Sequence, residues 1–277
     1  MKPVPVEVAA GVAADVLGGP VTVEVLKDKP GRRRTMRARG AAGSAIVKCY
    51  ASDRAGTVAA RITALASGPP EPVVPIVLHL DVERRLVILS DVPGTPLGVA
   101  VLDGDLDACR AAGAALAAWH GAWAGREARP LRPHGVDREL AALRERGVAG
   151  VAPALRRPWS CTTVVHRDLY EDQILIGSGV GLIDLDDTHR GPPELDVGNL
   201  AAHLALLDAR SGSTAGAAAA RAALAGYGDA GGELDAERLA QCQQLSAIRL
   251  ECIHGISVHP AAGSPPSGLA CELMARE

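Results

Sequence analysis

Val164-Val165-His166-Arg167-Asp168-Leu169-Tyr170-Glu171-Asp172-Gln173-Ile174-Leu175-Ile176 is followed closely by Val180-Gly181-Leu182-Ile183-Asp184-Leu185-Asp186-Asp187. Apolar runs carry acidic clusters at their ends, which is how a fold places carboxylates in a cleft. Asp168 stands five residues before Gln173 and sixteen before Asp184. Phosphoryl transfer to a hydroxyl needs a carboxylate to orient the attacking group, then an amide oxygen and a carboxylate to hold magnesium. This stretch offers all three in that order.

A further candidate is Lys48, a charge near the end of the apolar run Ser44-Ala45-Ile46-Val47. On its own it reads as an edge-strand lysine that snorkels to water. Beside the acidic cluster it reads as a phosphate-binding lysine at the roof of a nucleotide cleft.

The elements that must position these groups follow from periodicity and punctuation. Residues 6–18 are predicted as a short helix ended by Gly18-Gly19-Pro20. Residues 21–26 alternate as a strand, 27–31 form a turn, and 32–39, with five arginines, form a second strand. Residues 44–50 form a third. A helix is expected over 53–66, capped by Ser52 or Asp53 and stopped by Gly68-Pro69-Pro70. Strands are expected over 73–80 and 86–89. Pro and Gly in Ser90-Asp91-Val92-Pro93-Gly94-Thr95-Pro96-Leu97-Gly98 predict an extended crossing segment. Beyond it come predicted helices over 103–124, 137–146, 195–209, 214–227 and from 234 to about 256. Then follow a loop to Gly268 and a last short helix. His120 reads as a satisfied core histidine, and Asp196 as a structural cap or anchor. The pattern is α+β in two lobes, with a cleft expected between them. The expected division is 1–90 as a nucleotide-binding lobe, 91–98 as a hinge, and 99–277 as a helical lobe with the catalytic loop and acceptor site.

Composition narrows the function. The chain has 277 residues, 48% hydrophobic, no Phe, and a net charge of -3. That charge is too balanced for a nucleic-acid or membrane protein. Charge is uneven along the chain. Up to Ser90 there are thirteen Lys and Arg against eight Asp and Glu, and beyond it sixteen against twenty-four. The six cysteines are scattered with no CxxC pair, so reduced, buried thiols in a cytoplasmic protein are expected. Cys252, His254 and His259 lack a complete metal-ligand pattern. Met1-Lys2-Pro3-Val4-Pro5 carries no signal-peptide pattern, and no apolar run reaches membrane-spanning length.

Taken together, His166-Arg167-Asp168-Leu169 with Gln173, then Ile183-Asp184-Leu185-Asp186, resemble the catalytic and metal-binding motifs of the protein-kinase-like fold. The match is closest to the aminoglycoside phosphotransferase/choline kinase-like families. Gly191-Pro192-Pro193-Glu194-Leu195-Asp196 is similar to the turn that follows those motifs there. Ala45-Ile46-Val47-Lys48 resembles the lysine strand, and residues 86–94 resemble the hinge. The resemblance covers roughly residues 20–255 and is strongest over 164–200. It implies a small, mainly antiparallel β N-lobe, a larger helical C-lobe, and Mg2+-dependent transfer from ATP or GTP to a hydroxyl of a small molecule. By the same resemblance Asp168 is the catalytic base, and Gln173 and Asp184 hold the metal. Lys48 pairs with the phosphates, and backbone near Ser90 and Val92 meets the purine. The 27–31 turn lies over the phosphates, His166 braces the loop, and Asp186 assists metal or acceptor binding.

Three departures from the family pattern stand out. Gln173 occupies the place of the usual Asn. The helix 53–66 has no Glu to pair with Lys48. The glycine-rich loop is replaced by Pro-Gly and arginines, of which Arg32, Arg33 and Arg34 are candidate phosphate ligands. A protein substrate is disfavoured, because Pro193 follows Asp184 by nine residues, too few for a long peptide-docking segment. Between Cys161 and Leu200 there are eight acids against two arginines, which suits a cationic acceptor such as an amino sugar, aided by Asp235, Glu237 or Glu251. The expected acceptor is an antibiotic or natural product, in resistance or biosynthesis. Alternatives are a metabolic kinase of a sugar, choline-like alcohol or amino alcohol, and a nucleotide-binding pseudokinase.

Overall fold

The structure is a computed structural model that describes residues 3–258. The predicted C-terminal helix, most of the predicted loop up to Gly268, His259 and Cys271 lie outside the described residues. The chain forms two compact units. The first comprises residues up to Gly68, Val73–Pro93 and Leu182–Asp186; the second comprises Pro69–Pro72, Gly94–Gly181 and the chain from Asp187 onward. The expected contiguous division at residue 90 therefore meets two exchanges. The stretch holding Asp184 and Asp186 packs with the N-terminal elements, and residues 69–72 pack with the C-terminal ones.

In the first unit, helix α1 (Val6–Val16) precedes strands β1 (Thr22–Lys29), β2 (Arg33–Gly40) and β3 (Gly43–Tyr50). Helix α2 (Ala55–Leu65), β4 (Val77–Asp81) and β5 (Leu86–Ser90) follow. The strands form one sheet in the order β1-β2-β3-β5-β4, antiparallel throughout. Alternation sorts its side chains into two faces. Met36 and Ala38 of β2, with Ala45, Val47 and Cys49 of β3, pack with Ala9 and Ala13 of α1. The opposite face receives Arg33, Arg37, Lys48 and Tyr50, because Arg33 pairs with Tyr50 and Thr35 with Lys48 in the β2–β3 register. Two local expectations are corrected. Strand β1 runs on to Lys29, so the turn is confined to Pro30-Gly31-Arg32. Helix α2 starts at Ala55 after Arg54 with no side-chain cap, and neither Ser52 nor Asp53 caps it.

In the second unit, β6 (Thr95–Pro96) leads directly into α3 (Leu97–Leu102), so the expected extended segment ends at Pro96 rather than Gly98. Helices α4 (Leu106–Trp123) and α5 (Val136–Arg144) follow, then β7 (Thr163–Val165), β8 (Ile174–Ile176), β9 (Val180–Leu182) and β10 (His189–Gly191). Helices α6 (Glu194–Ser211), α7 (Ala215–Asp229) and α8 (Ala236–His254) complete it. Asp105 caps α4 by accepting from the Ala108 N–H (3.0 Å). The single helix expected over 103–124 thus begins at Leu106, and α3 is a separate helix before it. Four short strands surround the acidic stretch. The core joins Val136 and Leu143 of α5 and Val165 of β7 to Leu195 of α6 and Cys242, Leu245 and Ile248 of α8. Cys252 is exposed and Cys161 half-buried, which corrects the expectation of uniformly buried thiols; the described cysteines are all unpaired.

Candidate active site

In the first unit, β2 and β3 present Arg33, Lys48 and Tyr50 to the segment carrying Asp184 and Asp186. Lys48 Nζ lies 2.7 Å from Asp184 Oδ1 and 2.7 Å from Asp186 Oδ1. Arg33 makes a two-pronged contact with Asp184, 2.9 Å to each oxygen, and also donates to Asp186 Oδ2. The Tyr50 hydroxyl donates to Asp186 Oδ2 at 2.8 Å, and Arg61 of α2 donates to the Asp186 carbonyl. Helix α2 offers Lys48 no carboxylate, and the acids of the 184–186 segment supply its ion pair instead.

Electrostatics follow from this packing. Burial by itself pushes the Lys48 ammonium down, but Asp186 and Asp184 outweigh it and hold its pKa above the ordinary value. Burial pushes the Asp184 carboxyl up, but Lys48 and Arg33 hold it well below the usual carboxylate range. Burial, reinforced by Asp186, raises the Tyr50 phenol far above its ordinary value, so it remains a donor. Asp184 keeps 22% of its side chain exposed and Asp186 only 3%. Asp184 also sits at φ 60°, a left-handed conformation that a non-glycine residue rarely adopts and that concentrates at functional sites.

The other candidates of this unit are placed differently. Arg34 lies on the opposite face of β2, bound to Asp28 at 2.9 and 2.7 Å, so it is removed from the set of phosphate ligands. Arg32 is exposed in the turn, next to Lys29. The Ser90 N–H donates to the Ile76 carbonyl (2.9 Å), while its hydroxyl accepts from the Ile76 N–H (3.0 Å). Val92 is buried. Asp91 between them is held by Arg37 (2.8 Å) and Ser44 (2.8 Å).

In the second unit, β7 delivers the chain into His166-Arg167-Asp168. Asp196, fully buried in the first turn of α6, accepts from the backbone N–H of His166 (Oδ2, 2.7 Å) and of Arg167 (Oδ1, 2.7 Å). Its Oδ2 also lies 3.2 Å from Nε2 of His120, whose Nδ1 is 3.0 Å from the Tyr227 hydroxyl. The expected structural roles of His120 and Asp196 hold, but Asp196 anchors the loop rather than capping its own helix. On the far side of Asp168, Asn199 Nδ2 donates to the Leu169 carbonyl at 2.7 Å. Asn199 is bound in turn by Arg249, which reaches buried Glu139 at 3.2 Å; Glu139 is 2.7 Å from His134 Nε2. Burial pushes the Glu139 carboxyl up, but Arg249, His134 and Arg167 hold it down at about 2. Arg167 sits at φ 72°.

Between these clamps Asp168 is exposed, while His166 and Gln173 are buried. Gln173 closes the 3-10 turn Glu171–Gln173, with its N–H on the Tyr170 carbonyl (2.9 Å). Glu251 is committed elsewhere: it accepts from the Val258 N–H (2.9 Å) and lies 3.3 Å from the Ser257 hydroxyl. Sequence patterns missed the roles of Asn199, Arg249 and Glu139. Asn199 and Arg249 sit inside helices, and a polar residue in a mostly apolar helical face was the one available signal.

The part-exposed carboxylate of Asp184 suits a hard cation, since magnesium binds through one or two carboxylates plus substrate phosphates and water. Among the described residues, no group of three or more His, Cys, Asp or Glu side chains gathers as a metal-ligand set. Nor is any helix among them long and apolar enough to cross a membrane.

Comparison with known proteins places this architecture. The aminoglycoside phosphotransferase APH(3'')-Id from Streptomyces rimosus, solved with ADP and streptomycin, is 18% identical. It covers 88% of this chain and 99% of its own, with TM-score 0.60. Choline kinase from Cryptosporidium parvum Iowa II is 9% identical over 90% of this chain and 89% of its own, with TM-score 0.61. Amicoumacin kinase, solved with AMP-PNP, Ca2+ and Ami, is 15% identical over 92% and 86%, with TM-score 0.59. These likenesses establish a kinase-like fold with an antiparallel N-terminal sheet and a helical C-terminal region. No curated protein matches the chain. Residues 31–240 match the profile of the phosphotransferase enzyme family, APH. The strand that carries Lys48, the loop that carries Asp168 and the segment that carries Asp184 all fall within that match, and the chain belongs to this family of small-molecule kinases.

Proposed function

We propose that the protein transfers the γ-phosphoryl group of ATP or GTP to a hydroxyl of a small natural product, an antibiotic of aminoglycoside-like chemistry being the best candidate. The observation that carries this is the pairing of Lys48 with Asp184 in one unit and the doubly clamped, exposed Asp168 in the other. Asp168 accepts or orients the acceptor's proton, and fixed backbone on both sides keeps its carboxylate in one attitude. Lys48 and Arg33, with Arg32 beside them, meet the donor phosphates. Backbone around Ser90 to Val92 meets the purine. Asp184 and Gln173 are the ligands of magnesium, which when bound neutralises charge on the phosphates and polarises them. His166, buried beneath the loop, braces it.

An acceptor carrying amino groups is supported by the exposed acids of the second unit. Asp168 and Asp172 are both exposed, and Glu171 beside them is half-buried. Burial raises the Glu171 carboxyl above its ordinary value. Glu251 is a weaker acceptor contact, because its carboxylate already serves the end of α8.

Asp168→Ala tests the assignment. Turnover with a panel of hydroxylated antibiotics and metabolites should vanish, while binding of a fluorescent ATP analogue persists. Undiminished transfer in that variant would remove Asp168 as the base. Nucleotide binding without turnover by the wild-type protein, across the whole panel, would point to a nucleotide-binding regulator.

A further inference from the structure

Resting on the phosphotransferase site proposed above, we propose that Asp186 is the resident counter-ion of Lys48, in place of a carboxylate that helix α2 does not have, and is not a metal ligand. A buried ammonium must be paired and hydrogen-bonded to be tolerated. Lys48 is 4% exposed, so bulk water does not solvate its ammonium. The only ionisable residue of α2 is Arg61, a cation. The two acids within reach of Lys48 differ in kind. Asp184 is part-exposed, and the role proposed for it draws its oxygens to a metal. Asp186 is enclosed by the sheet.

Three of its acceptor positions are already used. A carboxylate offers about four lone-pair sites. Asp186 Oδ1 takes Lys48, and Oδ2 takes both Tyr50 (2.8 Å) and Arg33. Its carbonyl takes Arg61, so α2 holds this residue through the backbone. Donors from β2, β3 and α2 therefore converge on one residue. The task of joining the lysine strand to the helix has passed to the chain two residues beyond Asp184. When Asp184 turns to the metal, Lys48 still has Asp186.

The test is equilibrium binding of a fluorescent ATP analogue to the full chain, with and without Mg2+, in Asp186→Asn, Asp184→Asn, Lys48→Met and the Lys48→Met/Asp186→Asn double variant. Asp184→Asn should raise the magnesium midpoint by about tenfold or more, while Asp186→Asn leaves it in place. Asp186→Asn should instead change metal-free nucleotide affinity by about tenfold, and that change should disappear in the Lys48→Met background. Tyr50→Phe removes one donor to Asp186 without altering charge; it should show the same pattern at smaller size, and it serves if Asp186→Asn does not fold. A magnesium midpoint raised by Asp186→Asn or Tyr50→Phe would overturn the assignment, as would an Asp186→Asn effect that persists without Lys48. A wild-type protein that binds no nucleotide would overturn the phosphotransferase proposal itself, and this assignment with it.

Discussion

Replacing Asp196 by Asn should disable turnover while sparing nucleotide binding. The Asp196 carboxylate accepts the N–H groups of His166 and Arg167, both at 2.7 Å, and is fully buried. An amide of the same shape keeps one acceptor oxygen and turns an NH2 toward the other N–H. One hydrogen bond to a charged acceptor is lost, costing about 1.5–3 kcal/mol, with a buried donor left unsatisfied. Expressed as misplacement of the Asp168 carboxylate, this lowers kcat by about 10- to 100-fold, since each 1.36 kcal/mol is about tenfold in rate. The KM for nucleotide should stay unchanged, because the hydrogen-bond partners of Asp196 belong to the second unit, whereas Lys48, Arg33 and Asp184 belong to the first. Steady-state kinetics, with urea unfolding to follow stability, would read both effects. A kcat within about twofold of wild type would refute the idea that this clamp sets the geometry of Asp168.

Acid should loosen the second unit. Glu139 has a folded pKa of about 2 against an ordinary 4.5, so its contribution is complete above about pH 5 and is lost as pH falls through about 2. Urea unfolding across pH should show that loss in wild type and a flatter acid limb in Glu139→Gln. Burial, helped by Arg249, holds the His203 imidazole down at about 3, so it stays neutral in the fold while the unfolded chain takes its proton near 6.5. Stability should therefore fall between those two values, and His203→Gln should remove that part of the slope. Gly113→Ala places a Cβ 1.9 Å from the Ala223 carbonyl oxygen, where α4 crosses α7. The helices must part, costing about 1–3 kcal/mol or more, and the thermal midpoint should drop. An unchanged midpoint would contradict the packing.

Much of this protein was legible locally. Alternation in β2 and β3 placed the strands, and the ordered motifs over 164–200 pointed to the phosphotransferase family, because strand period and loop length are short-range properties. Where local patterns misled, a distant partner decided the outcome. The neighbouring helix offers Lys48 no carboxylate, and the acids that pair with it lie more than a hundred and thirty residues along the chain. Arg34 looked equivalent to Arg33, but one residue along a strand reverses the face.

The sequence by itself determined the family and the kinase-like architecture, since both are written in residue type and short spacing. Only the tertiary structure decided which charges satisfy one another. It turned the 184–186 segment onto the N-terminal sheet and set Asp186 beneath Lys48, Arg33 and Tyr50. It also brought Asp196 and Asn199, some thirty residues away along the chain, against the backbone on either side of Asp168. A buried charge is tolerated only beside its partner, and that partner is chosen by packing in three dimensions.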